Sequence, residues 1–263
     1  MTDDPGRYIA VSQEEVRAGL EKGRSFDDLL FGPALSLDEL DLSETRFERC
    51  VFSLPSIRGA DFSAATFKDC RFAPARLASC KLREVQFDNC TLFDVAQKKG
   101  CTFAFCDLQG AAMAKCNFAT SLFERCDLYN LKAVECSFRG ARFDRSTFSK
   151  ALSRRSVLTK ATFETCNLSF ADLSGLHLQS ASFLSCKLSE ASFIDSDLSH
   201  ATLIACALDR AEWDRAKLRK ADLRGSQLSG LNLAVLADHA GLTISEGEQT
   251  TILKELGVNV GPG

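Results

Sequence analysis

Large apolar residues recur at every fifth position over most of the chain. One series runs from Leu37 to Leu92, and a second, one residue out of step, runs from Phe103 to Leu233. A small residue, usually Ala, Cys or Ser, lies two places before each large one, with a polar residue between them. A period of five fits neither a helix nor a strand. Such a short period over so long a stretch predicts a solenoid whose units contact only their neighbours.

The repeating units carry a family resemblance. Ala-Asp-Phe-Ser-Ala (60–64), Ala-Asp-Leu-Ser-Gly (171–175) and Ala-Asp-Leu-Arg-Gly (221–225) resemble the A(D/N)Lxx motif of the pentapeptide-repeat family. The resemblance implies an all-β solenoid, a right-handed quadrilateral β-helix with four units per coil and roughly ten coils. We therefore expect an N-terminal helical cap, a repeat β-helix and a C-terminal helix with a tail, over residues 1–34, 35–235 and 236–263.

Short helices are predicted at both ends. Ser12 and Glu15 fit a capping box, which predicts a helix from about residue 13 to 22. Because an open solenoid end exposes its core, this segment is interpreted as a cap, with a partner-binding helix as the alternative. At the other end Ser245 and Glu248 form a second capping-box pattern. An apolar stripe follows at Ile252, Leu253 and Leu256.

Both termini resemble those of particular pentapeptide proteins. Residues 244–258 look like the C-terminal helix of the Qnr-type quinolone-resistance and mycobacterial fluoroquinolone-resistance proteins, in which that helix joins two copies end to end. The stripe either folds back on its own last coil or meets a second copy, and we predict a homodimer. Residues 12–26 are similar to leader segments of pentapeptide proteins associated with type VI secretion, which implies an adaptor role.

Two irregularities interrupt the period. The slip between Leu92 and Phe103 predicts a bulge or small loop near residues 97–100. The second covers residues 151–157, where Ser153 falls at a position that calls for a large apolar side chain.

The cysteines and the composition exclude several functions. All 12 cysteines lie in the small inward position, where a thiol acts as a small apolar group, and no Cys-X-X-Cys pattern occurs. We expect no metal, no cofactor and no enzymatic activity, because no catalytic motif is present and a packed rod leaves no concave pocket. No apolar run approaches the ~20 residues of a membrane span. The N-terminus lacks signal-peptide features, which predicts a cytoplasmic protein without a membrane partner.

Charge distinguishes the candidate partners. The net charge is −3 overall, but residues 36–233 contain 24 acidic and 27 basic residues, a net charge of +3. A basic segment opposed by Asp144 alone comprises Arg139, Arg142, Arg145, Lys150, Arg154, Arg155 and Lys160. With four units in every coil, one face is expected to present Arg139, Lys160, Lys217, Arg219 and Lys220. The segment is either a solvated surface, a site for an acidic protein or a site for a nucleic-acid backbone.

The function predicted from these features is non-catalytic. Inward-pointing Phe residues leave no aromatic side chains for base stacking, which disfavours nucleic acid. We predict a protein-binding scaffold or adaptor in the bacterial cytoplasm. The alternative is a DNA mimic of the Qnr type that protects DNA gyrase and confers quinolone tolerance. The basic rod disfavours this alternative, because duplex DNA carries one negative charge per ~1.7 Å.

Overall fold

The computed structural model describes residues 8–153 and 156–261. Its helices are α1 (Gln13–Lys22) and α2 (Gln249–Glu255), with 3-10 turns at Leu233–Val235 and Glu246–Glu248. The strands are β1 (Ile9–Ala10), β2 (Ser25–Asp27), β3 (Leu29–Phe31), β4 (Arg46–Glu48), β5 (Val51–Phe52), β6 (Ser56–Arg58), β7 (Thr66–Lys68), β8 (Arg71–Phe72), β9 (Arg76–Ala78), β10 (Gln86–Asp88), β11 (Phe93–Asp94), β12 (Lys99–Gly100), β13 (Thr102–Ala104), β14 (Ala112–Ala114), β15 (Leu122–Glu124), β16 (Leu131–Val134), β17 (Ser149–Ser153), β18 (Ser156–Thr159), β19 (Ala161–Glu164), β20 (Ser182–Leu184) and β21 (Thr202–Ile204). Among the described residues, no helix is both long and apolar enough to cross a bilayer.

Parallel pairing stacks the chain into four faces, each defined by a column of inward-pointing residues. Face 1 is the nine-stranded sheet, with the column Phe26, Phe47, Phe67, Phe87, Met113, Ala133, Phe163, Phe183, Leu203 and Leu223. Face 2 has the column Phe31, Phe52, Phe72, Leu92, Phe118, Phe138, Leu168, Leu188, Leu208 and Leu228. Face 3 has the column Ile57, Leu77, Phe103, Phe123, Phe143, Leu173, Phe193 and Trp213. Face 4 has the column Leu42, Phe62, Leu82, Leu108, Leu128, Phe148, Leu178, Leu198 and Leu218. The predicted right-handed quadrilateral β-helix of about ten coils is confirmed.

The core explains the period of five. Equivalent rings in successive coils stack face to face: the ring centroids of Phe103 and Phe123 lie 5.0 Å apart, and those of Phe123 and Phe143 lie 4.9 Å apart. This spacing is close to the ~4.8 Å between hydrogen-bonded strands. Two places after most of the large residues the backbone takes a positive φ and turns a corner, as at Arg125 with φ 50°. Two inward positions, the outward position between them and a two-residue corner therefore account for the five residues.

The outward polar position also stabilises the corner. The Asp or Asn side chain there accepts a hydrogen bond of 2.8–3.2 Å from the backbone N–H two residues later. The residues that do so include Asp41, Asp61, Asp107, Asn117, Asp127, Asn167, Asp172, Asp197, Asp222, Asn232 and Asp238. Such Asx turns satisfy a backbone donor locally. The carboxylates of this motif are therefore structural, and not merely solvated side chains.

Acid is expected to weaken these corners. Hydrogen bonds from the Ser43 hydroxyl and N–H, with Arg24 nearby, lower the pKa of Asp41 to about 2 from 3.8. Because the folded-state pKa is depressed, the stabilisation is present above pH ~4 and is lost as the pH falls through about 2. We predict that Asp41→Asn flattens the fall in melting temperature between pH 4 and pH 2, measured by circular dichroism. At pH 7 the free energy of unfolding of the variant should fall by at most ~1 kcal/mol, because the exposed ion pair with Arg24 is lost.

The reverse substitution serves as the control. Asn117 occupies the same position and accepts the N–H of Ala119 at 3.0 Å. Asn117→Asp should steepen the acid response in the same pH window. Identical acid profiles for all three proteins would show that the corner carboxylates do not contribute to the pH dependence of stability.

The cysteines form two columns inside the core, which confirms their inward position. The longer column precedes face 2 and comprises Cys50, Cys70, Cys90, Cys116, Cys136, Cys166, Cys186 and Cys206. The shorter column precedes face 4 and comprises Cys80, Cys106 and Cys126. Cys101 lies alone before face 3. The Cys90 thiol donates to the Phe67 carbonyl at 3.3 Å.

Thiol reagents should distinguish this arrangement from an accessible one. All 12 cysteines are buried and unpaired, and burial raises the pKa of the Cys101 thiol to about 11. The thiolate is the reactive form, so both access and ionisation slow the reaction. We predict negligible labelling by a maleimide over an hour in the native state and labelling of every thiol after denaturation, measured by mass spectrometry. Fast native labelling of several cysteines would contradict the packing of both columns.

Helix α1 lies where the sequence predicts it, but the stack of coils begins before residue 35. Helix α1 spans residues 13–22, and its capping box between Ser12 and Glu15 is formed. Val16 is fully buried in the core, so the helix covers the end of the rod. Strand β2 already pairs with β4, and the rings of Phe26 and Phe47 stack at 5.4 Å. One extra residue before the series starts hides this coil from the period of five.

The C-terminal end shows the same effect. Asp238 bridges to Lys217, and Thr243 bridges to Asp222, so parallel pairing continues past residue 235. The spacing here exceeds four units by one residue, which breaks the five-residue phase. The predicted Ser245 capping box is wrong, because the Ser245 hydroxyl instead accepts the N–H of Gly225 in the coil below, at 2.7 Å.

The first irregularity is a small hairpin. Strands β11 and β12 pair antiparallel, with Phe93 opposite Gly100. They lie between Leu92 of face 2 and Phe103 of face 3, which confirms a loop near residues 97–100. The hairpin inserts one full period and one further residue between these two positions of the wall, and it therefore shifts the phase by one.

The second irregularity is a longer hairpin, and it does not shift the phase of the five-residue period. Strands β17 and β18 pair antiparallel, with Ser149 opposite Thr159. The next wall strand, β19, pairs with β16, so Ala133 lies beside Phe163 and this coil contains six units of the period where its neighbours contain four. Leu158, predicted to lie in the core column, is 43% exposed on the hairpin. Because the insertion amounts to two full periods, it leaves the phase unchanged.

Candidate functional site

Three arginines of the predicted basic segment, Arg139, Arg142 and Arg145, lie on face 3 or at its corners. Arg139 lies at the corner between faces 2 and 3, with its guanidinium carbon 4.7 Å from the centroid of the Phe170 ring. Arg142 is exposed on face 3, with Nε 3.7 Å from the Asp172 carboxylate in the next coil. Arg145 is exposed at the following corner. These three charges therefore follow the wall of one coil and do not form a compact cluster.

A fourth member of the segment, Lys150, belongs to the longer hairpin, residues 149–159, which is here called the basic hairpin. Lys150 on β17 is exposed, and its Nζ lies 5.8 Å from the centroid of the Tyr129 ring. Lys160 is exposed directly after β18. No acidic residue occurs in the sequence between Asp144 and Glu164. Outside the described residues lie Arg154 and Arg155.

The expected single basic face is wrong. The predicted face comprises Arg139, Lys160, Lys217, Arg219 and Lys220. The expectation assumed four units in every coil, but Ser137 bridges to Asn167, so this coil contains six. Arg139 therefore lies at the corner between faces 2 and 3. Lys160 and Lys220 lie at the corner between faces 4 and 1, diagonally across the rod.

A groove lies where the basic hairpin leaves the wall, here called the hairpin groove. Its volume is about 410 Å³, and it is lined by Ser149, Leu158, Thr159, His177, Gln179 and Ser180. A chain of hydrogen bonds forms its floor. The Ser149 and Thr159 hydroxyls are 2.7 Å apart, and Thr159 Oγ1 donates to Gln179 Oε1 at 3.3 Å. The amide of Gln179 lies 3.4 Å from His177 Nδ1. One side of the groove thus comes from the hairpin and the other from the next coil.

Sequence reasoning missed this groove because it treated the hairpin as wall. Two signals were available. Ser153 occupies a position for a large apolar residue, and Leu152 occupies one that is usually polar. Two consecutive reversals of the pattern indicate that a unit is not part of the wall.

Several acidic side chains of the rod lie beside cations in other coils. Lys81 Nζ is 3.1 Å from the Asp61 carboxylate. Arg215 is 2.6 Å from Asp195. Further ion pairs between adjacent coils involve Arg210 with Glu190, Lys217 with Asp197 and Arg219 with Asp238, and Arg76 pairs with Glu124 two coils away. Acidic and basic side chains are therefore interspersed along the walls that the structure describes.

Not all Phe side chains point inward, contrary to the sequence-based expectation. Phe105 and Phe170 occupy corner positions, with 50% and 47% of their surface exposed. Each lies next to an arginine, Arg125 at 5.6 Å and Arg139 at 4.7 Å from the ring centroid. Their phase in the period, two places after a core residue, distinguishes them from the buried rings.

The residues predicted for dimerisation divide into two groups. Ile252 is 6% exposed and packs into the core of its own chain. It is therefore unavailable to a second copy. Leu253 and Leu256 are exposed on the same helix. Of the 11 exposed large apolar side chains among the described residues, five lie in the C-terminal region: Val235, Leu253, Leu256, Val258 and Val260.

Among residues 8–153 and 156–261, no group of three or more His, Cys, Asp or Glu side chains is arranged to hold a metal ion. The thiols are buried in the core. The exposed features are the walls, the corners, the two hairpins and the hairpin groove.

Protein-family models match most of the repeat units of this chain. Residues 56–94 and 101–140 match pentapeptide repeats, and residues 156–233 match a pentapeptide repeat region. The unmatched stretches between them, 95–100 and 141–155, include much of the two hairpins. The chain belongs to the pentapeptide-repeat family.

Solved structures of similar fold cover most of the chain. Full-length QnrB1, a plasmid-mediated fluoroquinolone resistance protein, matches with a TM-score of 0.63 at 21% identity, over 89% of this chain and 100% of its own. HetL, a pentapeptide repeat protein involved in heterocyst differentiation regulation from the cyanobacterium Nostoc sp. strain PCC 7120, matches with a TM-score of 0.54 at 20% identity, over 89% and 94%. No curated protein matches the sequence. Pentapeptide-repeat solenoids are generally structural or binding proteins.

Proposed function

We propose that this protein is a non-catalytic scaffold of the bacterial cytoplasm that binds an acidic surface of another protein through the basic hairpin. One observation carries the proposal: a rod with acidic and basic side chains on its walls is interrupted by a hairpin whose sequence contains only basic charges. Lys150 and Lys160 are exposed at its base. Complementary charge accelerates association and orients a partner, so a basic projection favours an acidic protein.

Charge reversal tests the proposal. Arg154→Glu with Arg155→Glu should abolish capture of the partner from a lysate of the source organism at low salt, measured by quantitative mass spectrometry. The matched control is Lys98→Glu with Lys99→Glu, which reverses two adjacent charges near the other hairpin. The proposal is supported by proteins that bind the wild type and the control but not the first variant. These proteins should also elute at high salt, because salt screens the attraction between charges. An unchanged set of captured proteins would move the binding site elsewhere.

A second candidate is protection of DNA gyrase, favoured by the likeness to QnrB1 along nearly the whole rod. The mixed charges of the walls oppose it, because a DNA mimic needs a continuous acidic surface. A supercoiling assay with gyrase and a fluoroquinolone separates the two functions. Restored supercoiling on addition of this protein supports gyrase protection. No effect at tens of micromolar protein argues against it.

We also propose that the protein is a homodimer joined at its C-terminal ends. The exposed side chains of Leu253 and Leu256 provide the apolar surface, while Ile252 holds the helix on its own rod. Leu253→Asp with Leu256→Asp should convert a dimer to a monomer at micromolar concentration, measured by sedimentation equilibrium. Val134→Asp, at an exposed apolar position on face 1, is the control and should remain dimeric. A monomeric wild-type protein would refute the proposal.

A further inference from the structure

Strand β18 leaves one of its edges open. Among the described residues it pairs only with β17, in a two-stranded sheet separate from the walls of the rod. An open strand edge presents backbone N–H and C=O groups that can pair with another extended chain. The hairpin groove runs beside this strand, since Leu158 and Thr159 form one of its sides.

The groove has the features of a peptide site. Thr159 is buried and bonded to Gln179, which fixes the position of the strand relative to the next coil. Leu158 is 43% exposed and offers an apolar contact for a side chain of an added strand. The four residues of β18 span ~13 Å at ~3.3 Å per residue, so the edge accommodates about four residues of an extended peptide.

Charge indicates what kind of peptide fits. Lys150 lies opposite Leu158 in the hairpin register, and Lys160 follows the strand directly. Both lysines are exposed, and each is the chain neighbour of a residue that lines the groove, Ser149 or Thr159. An extended segment with carboxylates at alternate positions can pair with the strand edge while its acidic side chains reach these lysines.

We propose that the hairpin groove binds an extended acidic segment of the partner protein as a third strand on the open edge of β18. This inference rests on the proposed function, because it specifies how the partner meets the basic hairpin. In strand addition the main-chain hydrogen bonds provide much of the affinity, and the side chains provide the specificity.

Backbone methylation provides the test. The probe is a fluorescent ten-residue peptide of alternating Thr and Glu, titrated with the full-length protein at low salt and followed by anisotropy. The control peptide has the same sequence with the four central backbone nitrogens methylated, which keeps every charge but removes their N–H donors and places methyl groups at the strand edge. We expect the methylated peptide to bind at least tenfold more weakly. We also expect the unmethylated peptide to slow hydrogen exchange of the amides at 156–159.

Each outcome decides the inference. Equal affinity of the two peptides would show attraction by charge alone and overturn strand addition. An absence of binding by the unmethylated peptide at millimolar concentration would overturn it as well. Neither result bears on the lysate experiment, in which the Arg154 and Arg155 reversal tests the proposed function separately. If that variant loses the partner while the two peptides bind with equal affinity, the proposed scaffold function is supported and strand addition is refuted.

Discussion

Replacing Phe163 with alanine is expected to destabilise the protein by ~3–5 kcal/mol, whereas Leu158→Ala should cost less than ~1 kcal/mol. Both residues lie in the same five-residue series. Phe163 is fully buried and stacks on Phe183 with ring centroids 5.0 Å apart, while Leu158 is 43% exposed on the basic hairpin. Urea denaturation followed by circular dichroism measures the two changes in the free energy of unfolding.

Leu168 provides a second reference for this comparison. It is fully buried, belongs to face 2 and has the same side chain as Leu158. Leu168→Ala should cost ~2–5 kcal/mol, because it leaves a cavity in the core. Similar losses of unfolding free energy for Leu158→Ala and Leu168→Ala would contradict the hairpin and indicate that Leu158 is buried in the core of the wall.

Deleting residues 149–158 is expected to leave the rod folded and to abolish partner binding. The deletion joins Phe148 to Thr159 and places Phe163 five residues after Phe148, as the wall requires. The Lys160 N–H already lies 3.1 Å from the Phe148 carbonyl, so the ends to be joined are close. We expect a melting temperature near that of the wild type and at least a tenfold loss of partner affinity, measured by circular dichroism and quantitative capture.

The other hairpin supplies a matched deletion. Removing residues 94–99 leaves Phe93 and Gly100 between Leu92 and Cys101, which also restores five-residue spacing. This variant should fold and retain the partner. Loss of partner binding in both deletions would indicate damage to the rod, and retention in both would refute the role of the basic hairpin.

Most of the rod could be predicted from the sequence because its interactions are local and periodic. The small and large inward positions identify the core, including every cysteine, and the Asp or Asn between them marks a corner. The capping box at Ser12 and Glu15 identifies α1. Each of these signals lies within one repeat unit of the structure that it specifies, so no knowledge of distant contacts is needed.

The candidate site depends on how many residues one coil contains, and the period alone does not reveal this number. The shorter hairpin shifts the phase and is visible between Leu92 and Phe103. The basic hairpin preserves the phase and is hidden. The alignment of Arg139 with Lys160 was therefore wrong, and the hairpin groove beside Gln179 was missed.

The sequence by itself thus determined the class of fold, the residues of the core and the chemistry of the corners. Only the tertiary structure decided which residues lie above one another, where the hairpins leave the wall and that Ile252 packs on its own chain. The physical reason is that side-chain direction follows from local backbone geometry. The stacking of coils follows instead from hydrogen bonds between strands that lie four to six units apart along the chain.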